Sequence, residues 1–138
     1  MEQHHLDNWK QYLTNDDYNY LIQYVENIKN NIQNDKMIIL SGPGRTGKST
    51  LKKDIHTYLG DEFCGTYMMS GEIIYSENIK KIGFFCGIDE IHNSKKKNRA
   101  IINLIKYKQS FIADTNHIES VNNNLLEYCK IIRMEHIF

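Results

Sequence analysis

Eight consecutive residues limit what this chain can fold into more than any others: Gly42-Pro43-Gly44-Arg45-Thr46-Gly47-Lys48-Ser49. They satisfy the pattern G-x-x-x-x-G-K-[ST] in full. The run before them, Met37-Ile38-Ile39-Leu40, is wholly apolar and reads as a buried parallel strand. After them, Leu51, Ile55 and Leu59 fall on one helical face, and Gly60 is a natural stop. Glycines let the loop curl so that successive N–H groups point inward, and the helix aims the positive end of its dipole at the same place. This is a cradle for phosphate, read here over Gly42, Pro43, Gly44, Arg45, Thr46, Gly47, Lys48, Ser49 and Thr50. In it Lys48 reaches the β- and γ-phosphates, and the Ser49 hydroxyl sits on Mg²⁺. The motif leaves the base of the nucleotide open.

Around this unit, apolar runs alternate with helical patterns. Leu21, Ile22, Val25, Ile28 and Ile32 predict a helix from about Tyr18, capped by Asp16 or Asp17 and ended by Asn30, Asn31, Asn34 and Asp35. Trp9, Tyr12 and Leu13 stand at helical spacing before it. Residues 64–69 read as an edge strand, 71–81 as either strand or helical turn, and 82–88 as a buried strand ending at Asp89-Glu90. A helix over Arg99–Lys108, a strand over Ser110–Ala113, a helix over 119–128 and a strand over Lys130–Met134 complete the chain. The alternation predicts an α/β fold with a parallel sheet sandwiched by helices. The 138 residues read as one P-loop domain, with a helical segment over 1–35 and the nucleotide-binding core over 36–138.

Two strand ends carry further chemistry. Asp89, at the carboxyl end of a buried strand, would emerge beside the glycine loop and serve Mg²⁺. Glu90 next to it could polarise an attacking water, and Asn116 could bond both the γ-phosphate and that water. Asp114 is the less attractive candidate, because a second carboxylate would repel the γ-phosphate. The expected catalytic set is therefore Lys48, Glu90 and Asn116, with Ser49 and Asp89 for the metal. His92 reads as a loop residue.

Bulk composition narrows the setting. Net charge is zero, with 17 basic and 17 acidic residues, so any nucleic-acid contact needs a local patch. Lys95, Lys96, Lys97 and Arg99, with Lys106 and Lys108, form the dense basic cluster, which reads at least as well as a solvated loop as it does as a nucleic-acid contact. Cys64, Cys86 and Cys129 are widely spaced with no C-x-x-C pair, which disfavours zinc and a disulfide framework and fits a reducing, intracellular setting. No apolar run reaches roughly 18 residues, and no leader pattern opens the chain, so a soluble protein without a membrane is expected.

With these residues in view, the chain resembles the ATPase core of superfamily 3 helicases, particularly those of large DNA viruses. Tyr18 to Ser49 is similar to the helix, strand and P-loop that open that domain. Asp89-Glu90 is similar to its Walker B carboxylates and Asn116 to its motif C asparagine. Arg133 to Phe138 looks like its closing strand and aromatic. The resemblance implies a five-stranded sheet in the order 5-1-4-3-2, ATP hydrolysis with Mg²⁺, ring assembly and action on single-stranded DNA in viral-type replication. It leaves little room between Ile91 and Thr115 for the family's DNA-binding hairpin. It also leaves the arginine finger open among Arg99, Arg133 and Lys130. The chain could act alone, dock on a larger replication protein or be a truncated relic. A small-molecule kinase and a non-hydrolysing nucleotide-binding regulator are the rivals. The scarcity of arginine (Arg45, Arg99 and Arg133) counts against the kinase.

Overall fold

The structure is a computed structural model. It describes residues 2–60, 68–69, 85–89, 110–121 and 123–135, with side chains for 6–60, 110–119, 121 and 123–135. Helix α1 (Glu2–Trp9) runs into a 3-10 turn (Lys10–Tyr12), then α2 (Asn15–Lys29), β1 (Met37–Ser41) and α3 (Lys48–Leu59). Strands β2 (Met68–Met69), β3 (Phe85–Asp89) and β4 (Ser110–Thr115) follow. A 3-10 turn (Ile118–Ser120), a one-turn helix α4 (Asn123–Leu126) and β5 (Cys129–Arg133) complete the described elements.

The strands are parallel, as the alternating pattern predicts. β1 lies between β4 and β5, β3 pairs with the far side of β4, and β2 lies beside β3. The β1/β4 register sets Ile38 opposite Ile112 and Leu40 opposite Asp114. On β5, Leu40 stands level with Ile132. These same-parity residues face α2 and α3, where Ile38, Leu40, Ile112 and Ile132 join Leu21, Val25, Ile28, Leu51, Ile55, Leu59 and Trp9 in one core. Their alternates Met37, Ile39, Phe111 and Ala113 are also buried. Burial at both parities is why these strands read as continuous apolar runs rather than alternating ones.

Several expectations shift by a few residues for identifiable reasons. Thr14, not Asp16 or Asp17, caps α2: its hydroxyl accepts the Asp17 N–H at 3.2 Å, and both aspartates fall in the first turn, where they favour the helix dipole. The same helix ends at Lys29, with Asn31 at φ 57°, so Ile32 leaves the apolar face and is exposed. Asn34 is buried instead: its amide donates to the Tyr24 carbonyl and to Ser110 Oγ, tying the α2–β1 connection to β4. The helix expected over 119–128 is a 3-10 turn followed by α4, with residue 122 outside the described set. Helix α3 and its stop at Gly60, φ 78°, fall where expected. The helix expected over Arg99–Lys108 and the stretch 71–81 lie outside the described residues.

Candidate functional site

The glycine loop leaves β1 between two backbones. Gly42 N–H donates to the Thr115 carbonyl at 3.3 Å, and Met134 N–H donates to the Ser41 carbonyl at 2.7 Å. A Cβ on Gly42 would run into the Met134 carbonyl oxygen, so residue 42 has no room for a side chain. At the loop's far end Gly47 takes φ 88° as the N-cap of α3, and a Cβ there would strike the ring of Tyr12. Arg45 adopts φ 65°, a left-handed conformation uncommon for residues with a side chain.

Inside the loop the Lys48 ammonium donates to the carbonyls of Gly42 at 2.7 Å and Pro43 at 2.6 Å, and to Thr46 Oγ1 at 3.4 Å. Thr46 Oγ1 itself donates to the Pro43 carbonyl at 2.9 Å. Burial pushes the Lys48 pKa below its ordinary value; the charge of Asp114 opposes the shift and that of Lys52 adds to it. Lys48 is thus a buried cation held inside the loop, and it begins a twelve-residue helix. That combination favours an anion.

Beneath the loop lies a cluster that the sequence reading did not assemble. Lys52, one turn after Lys48, is fully buried and its ammonium sits 2.9 Å from Asp114 Oδ2. The same carboxylate oxygen accepts a hydrogen bond from the Ser49 hydroxyl at 3.3 Å. Asp114, set aside as a residue that would repel phosphate, is therefore charge-paired and joined to the loop serine. The available signal was spacing: a lysine between Leu51 and Ile55, four residues after Lys48, belongs to the inward face and needs a buried anion.

The strand ends bring the other expected residues to the same edge of the sheet. Asp89 ends β3, one step beyond the Ile88–Ala113 pair, so its backbone stands level with Asp114. Asn116 follows β4 directly and is exposed. Glu90, Lys95, Lys96, Lys97 and Arg99 lie outside the described residues. Among the described residues no group of three or more His, Cys, Asp or Glu gathers to hold a metal, and no helix is long and apolar enough to cross a membrane. The donors present, a serine hydroxyl with carboxylate at hand, are hard oxygens suited to Mg²⁺, a cation that takes few protein ligands when phosphates supply the rest.

On its outer face α3 borders a cavity of about 330 Å³, lined by Asn8, Tyr12, Thr50, Lys53, Asp54 and Thr57. Trp9 anchors this wall: its indole N–H donates to Asp54, and its ring meets Tyr58 edge-on at 5.4 Å.

No family model and no curated protein matches this chain. Solved structures do. A replication initiator DnaA bound to AMPPCP and single-stranded DNA aligns with a TM-score of 0.58 at 14% identity, over 83% of this chain and 45% of that one. A DNA replication initiation factor aligns with a TM-score of 0.59 at 12% identity, over 92% and 48%. RuvB of Thermotoga maritima, in a T158V form, aligns with a TM-score of 0.59 at 19% identity, over 90% and 45%. This chain spans slightly under half the length of each. Likeness at such identity concerns the fold alone, and what this chain shares with these structures is the α/β fold with its parallel sheet.

Proposed function

We propose that this chain binds ATP with Mg²⁺ in the Gly42–Thr50 loop and hydrolyses it to ADP and phosphate. The observation that carries the reading is the loop itself: Lys48 inside it, α3 opening on it, and Ser49 beside a carboxylate. Ser49 and Asp89 would hold Mg²⁺, which supplies charge neutralisation across the β- and γ-phosphates. Lys48 would exchange its two loop carbonyls for phosphate oxygens. Glu90 would take a proton from water as the water oxygen bonds to the γ-phosphorus and the bond to the β–γ bridging oxygen breaks. Asn116, exposed at the end of β4, would orient the γ-phosphate and that water. The cavity on the outer face of α3, beginning at Thr50, is the place for base and ribose, with Tyr12 as its aromatic wall.

The finer reading is a superfamily 3 helicase core in which the sheet runs 5-1-4-3-2, subunits assemble as a ring or dock on a larger replication protein, and Lys95, Lys96, Lys97 and Arg99 meet single-stranded DNA. The order β2-β3-β4-β1-β5 supports it, as does a fold neighbour whose structure contains single-stranded DNA. The test is phosphate release from ATP and Mg²⁺, with and without single-stranded DNA, for wild type, Lys48→Ala and Glu90→Gln. Turnover raised by DNA and abolished by both substitutions is the expected result. ATP bound through Lys48 without turnover in any condition would leave a nucleotide-binding regulator, and transfer to a small-molecule acceptor a kinase.

A further inference from the structure

Lys52 is the chemical oddity of α3. The helix has 12 residues, and its sheet-facing side carries Leu51, Ile55 and Leu59. Among them Lys52 is 0% exposed, and its ammonium lies 2.9 Å from Asp114 Oδ2. An isolated lysine at that depth would be strongly disfavoured, and a hydrophobic pair of similar volume would be at least as stable. The pair therefore calls for a reason other than stability. The reason is at hand, because the same oxygen accepts the Ser49 hydroxyl proton at 3.3 Å.

A serine hydroxyl has one proton and two lone pairs. With the proton committed to a carboxylate, both lone pairs are left for a cation. We propose that Asp114 is the positioning residue of the magnesium site: it takes the Ser49 proton in a hydrogen bond, turns that oxygen's lone pairs to the metal, and is held in place by Lys52. The proposal rests on the Mg–ATP reading and assigns Asp114 no direct contact with substrate. Lys52 also answers the electrostatic objection to a carboxylate here. Its ammonium offsets the charge of Asp114, so the site gains an orienting acceptor without a full negative charge facing the γ-phosphate. The geometry makes the arrangement local: Asp114 stands opposite Leu40, near the end of the strand that leads into the loop, and Ser49 lies in the first turn of the helix that leaves it.

The test measures ATP affinity in excess Mg²⁺ and again in EDTA, and takes the ratio. Removing one charge of the pair invites misfolding, so the informative chain is the double variant Lys52→Met/Asp114→Leu, which keeps no acceptor for the Ser49 proton, with its thermal melt recorded beside it. ATP affinity in EDTA should be unchanged, while the gain on adding Mg²⁺ should fall about 10–100-fold, the usual cost of losing a group that orients a metal ligand. In a Ser49→Ala background the same pair of substitutions should lower the gain no further, because Asp114 acts through Ser49. A folded double variant with the wild-type ratio overturns the proposal, as do losses that add between Ser49 and Asp114. A wild-type chain that binds no ATP in either condition overturns the nucleotide reading and this inference together.

Discussion

The two sides of α3 use opposite chemistry. The inner side presents Lys48 to the loop and Lys52 to the sheet with Leu51 and Ile55, and both lysines are buried with short, directed partners. The outer side presents Thr50, Lys53, Asp54 and Thr57 to a cavity that is open to solvent and closed on one wall by the segment around Tyr12. The inner side is a place where charge is held in a fixed geometry at low dielectric. The outer side is one where shape and aromatic area matter and a charge is cheaply screened. On the proposed function, one twelve-residue helix divides the work of gripping phosphate and metal from that of accommodating base and sugar.

If that division is real, substitutions on the inner side should have the larger effects. The largest is expected at the buried ion pair. Lys52→Met alone should lower unfolding free energy by about 3–5 kcal/mol, because it strands Asp114, whereas Lys52→Met/Asp114→Leu should recover most of it. Urea titration of the three chains checks this, and a single variant as stable as wild type would break the comparison.

Next come the loop glycines. A Cβ on Gly42 meets the fixed Met134 backbone, one on Gly47 meets the movable Tyr12 ring at φ 88°, and one on Gly44 meets nothing within 4 Å. Stability should therefore fall in the order Gly42→Ala, Gly47→Ala, Gly44→Ala, with about 1–3 kcal/mol lost at Gly47 and little at Gly44. Thermal melts of the three variants would read the order directly.

Tyr12→Ala tests the outer side. Loss of one aromatic wall, about 0.5–1.5 kcal/mol, corresponds to roughly a 2–10-fold weaker ATP affinity, with the Mg²⁺-to-EDTA ratio kept. A change in that ratio would show that the two sides are not separate.

The smallest effect concerns protons. Burial depresses the Lys48 pKa below 10.5, so the charged form carries a cost in the folded chain below its folded pKa. That cost is relieved as pH rises through the folded pKa toward 10.5. Phosphate beside Lys48 favours the ammonium, so ATP binding near that window should take up protons. Calorimetry in buffers of different ionisation enthalpy measures it.

The sequence disclosed the inner side only partly. The strand, loop and helix from Met37 to Leu59 were legible because local signals agree: an apolar run, glycines where the backbone must curl, and three-and-four spacing after Lys48. Strand β4 was legible for the same reason. The Lys52–Asp114–Ser49 cluster was not, since it joins residues from separate elements whose register only the sheet reveals. Viewed alone, Asp114 is a carboxylate beside a phosphate site, and only its buried partner changes its meaning. The cap at Thr14 and the early end of α2 escaped because Asp16, Asp17 and Ile32 fit the helical pattern equally well, and one hydrogen bond and one left-handed asparagine decide the boundaries.

The central claim is that Gly42 to Thr50 is a triphosphate site gripped by Lys48. Calorimetric titration of ATP with Mg²⁺ into wild type and Lys48→Ala tests it most directly. The expected result is saturable binding by wild type and a loss of affinity of at least about 10-fold in a variant that melts as a folded chain. Equal affinity in the two chains, or no binding by wild type, would contradict the account.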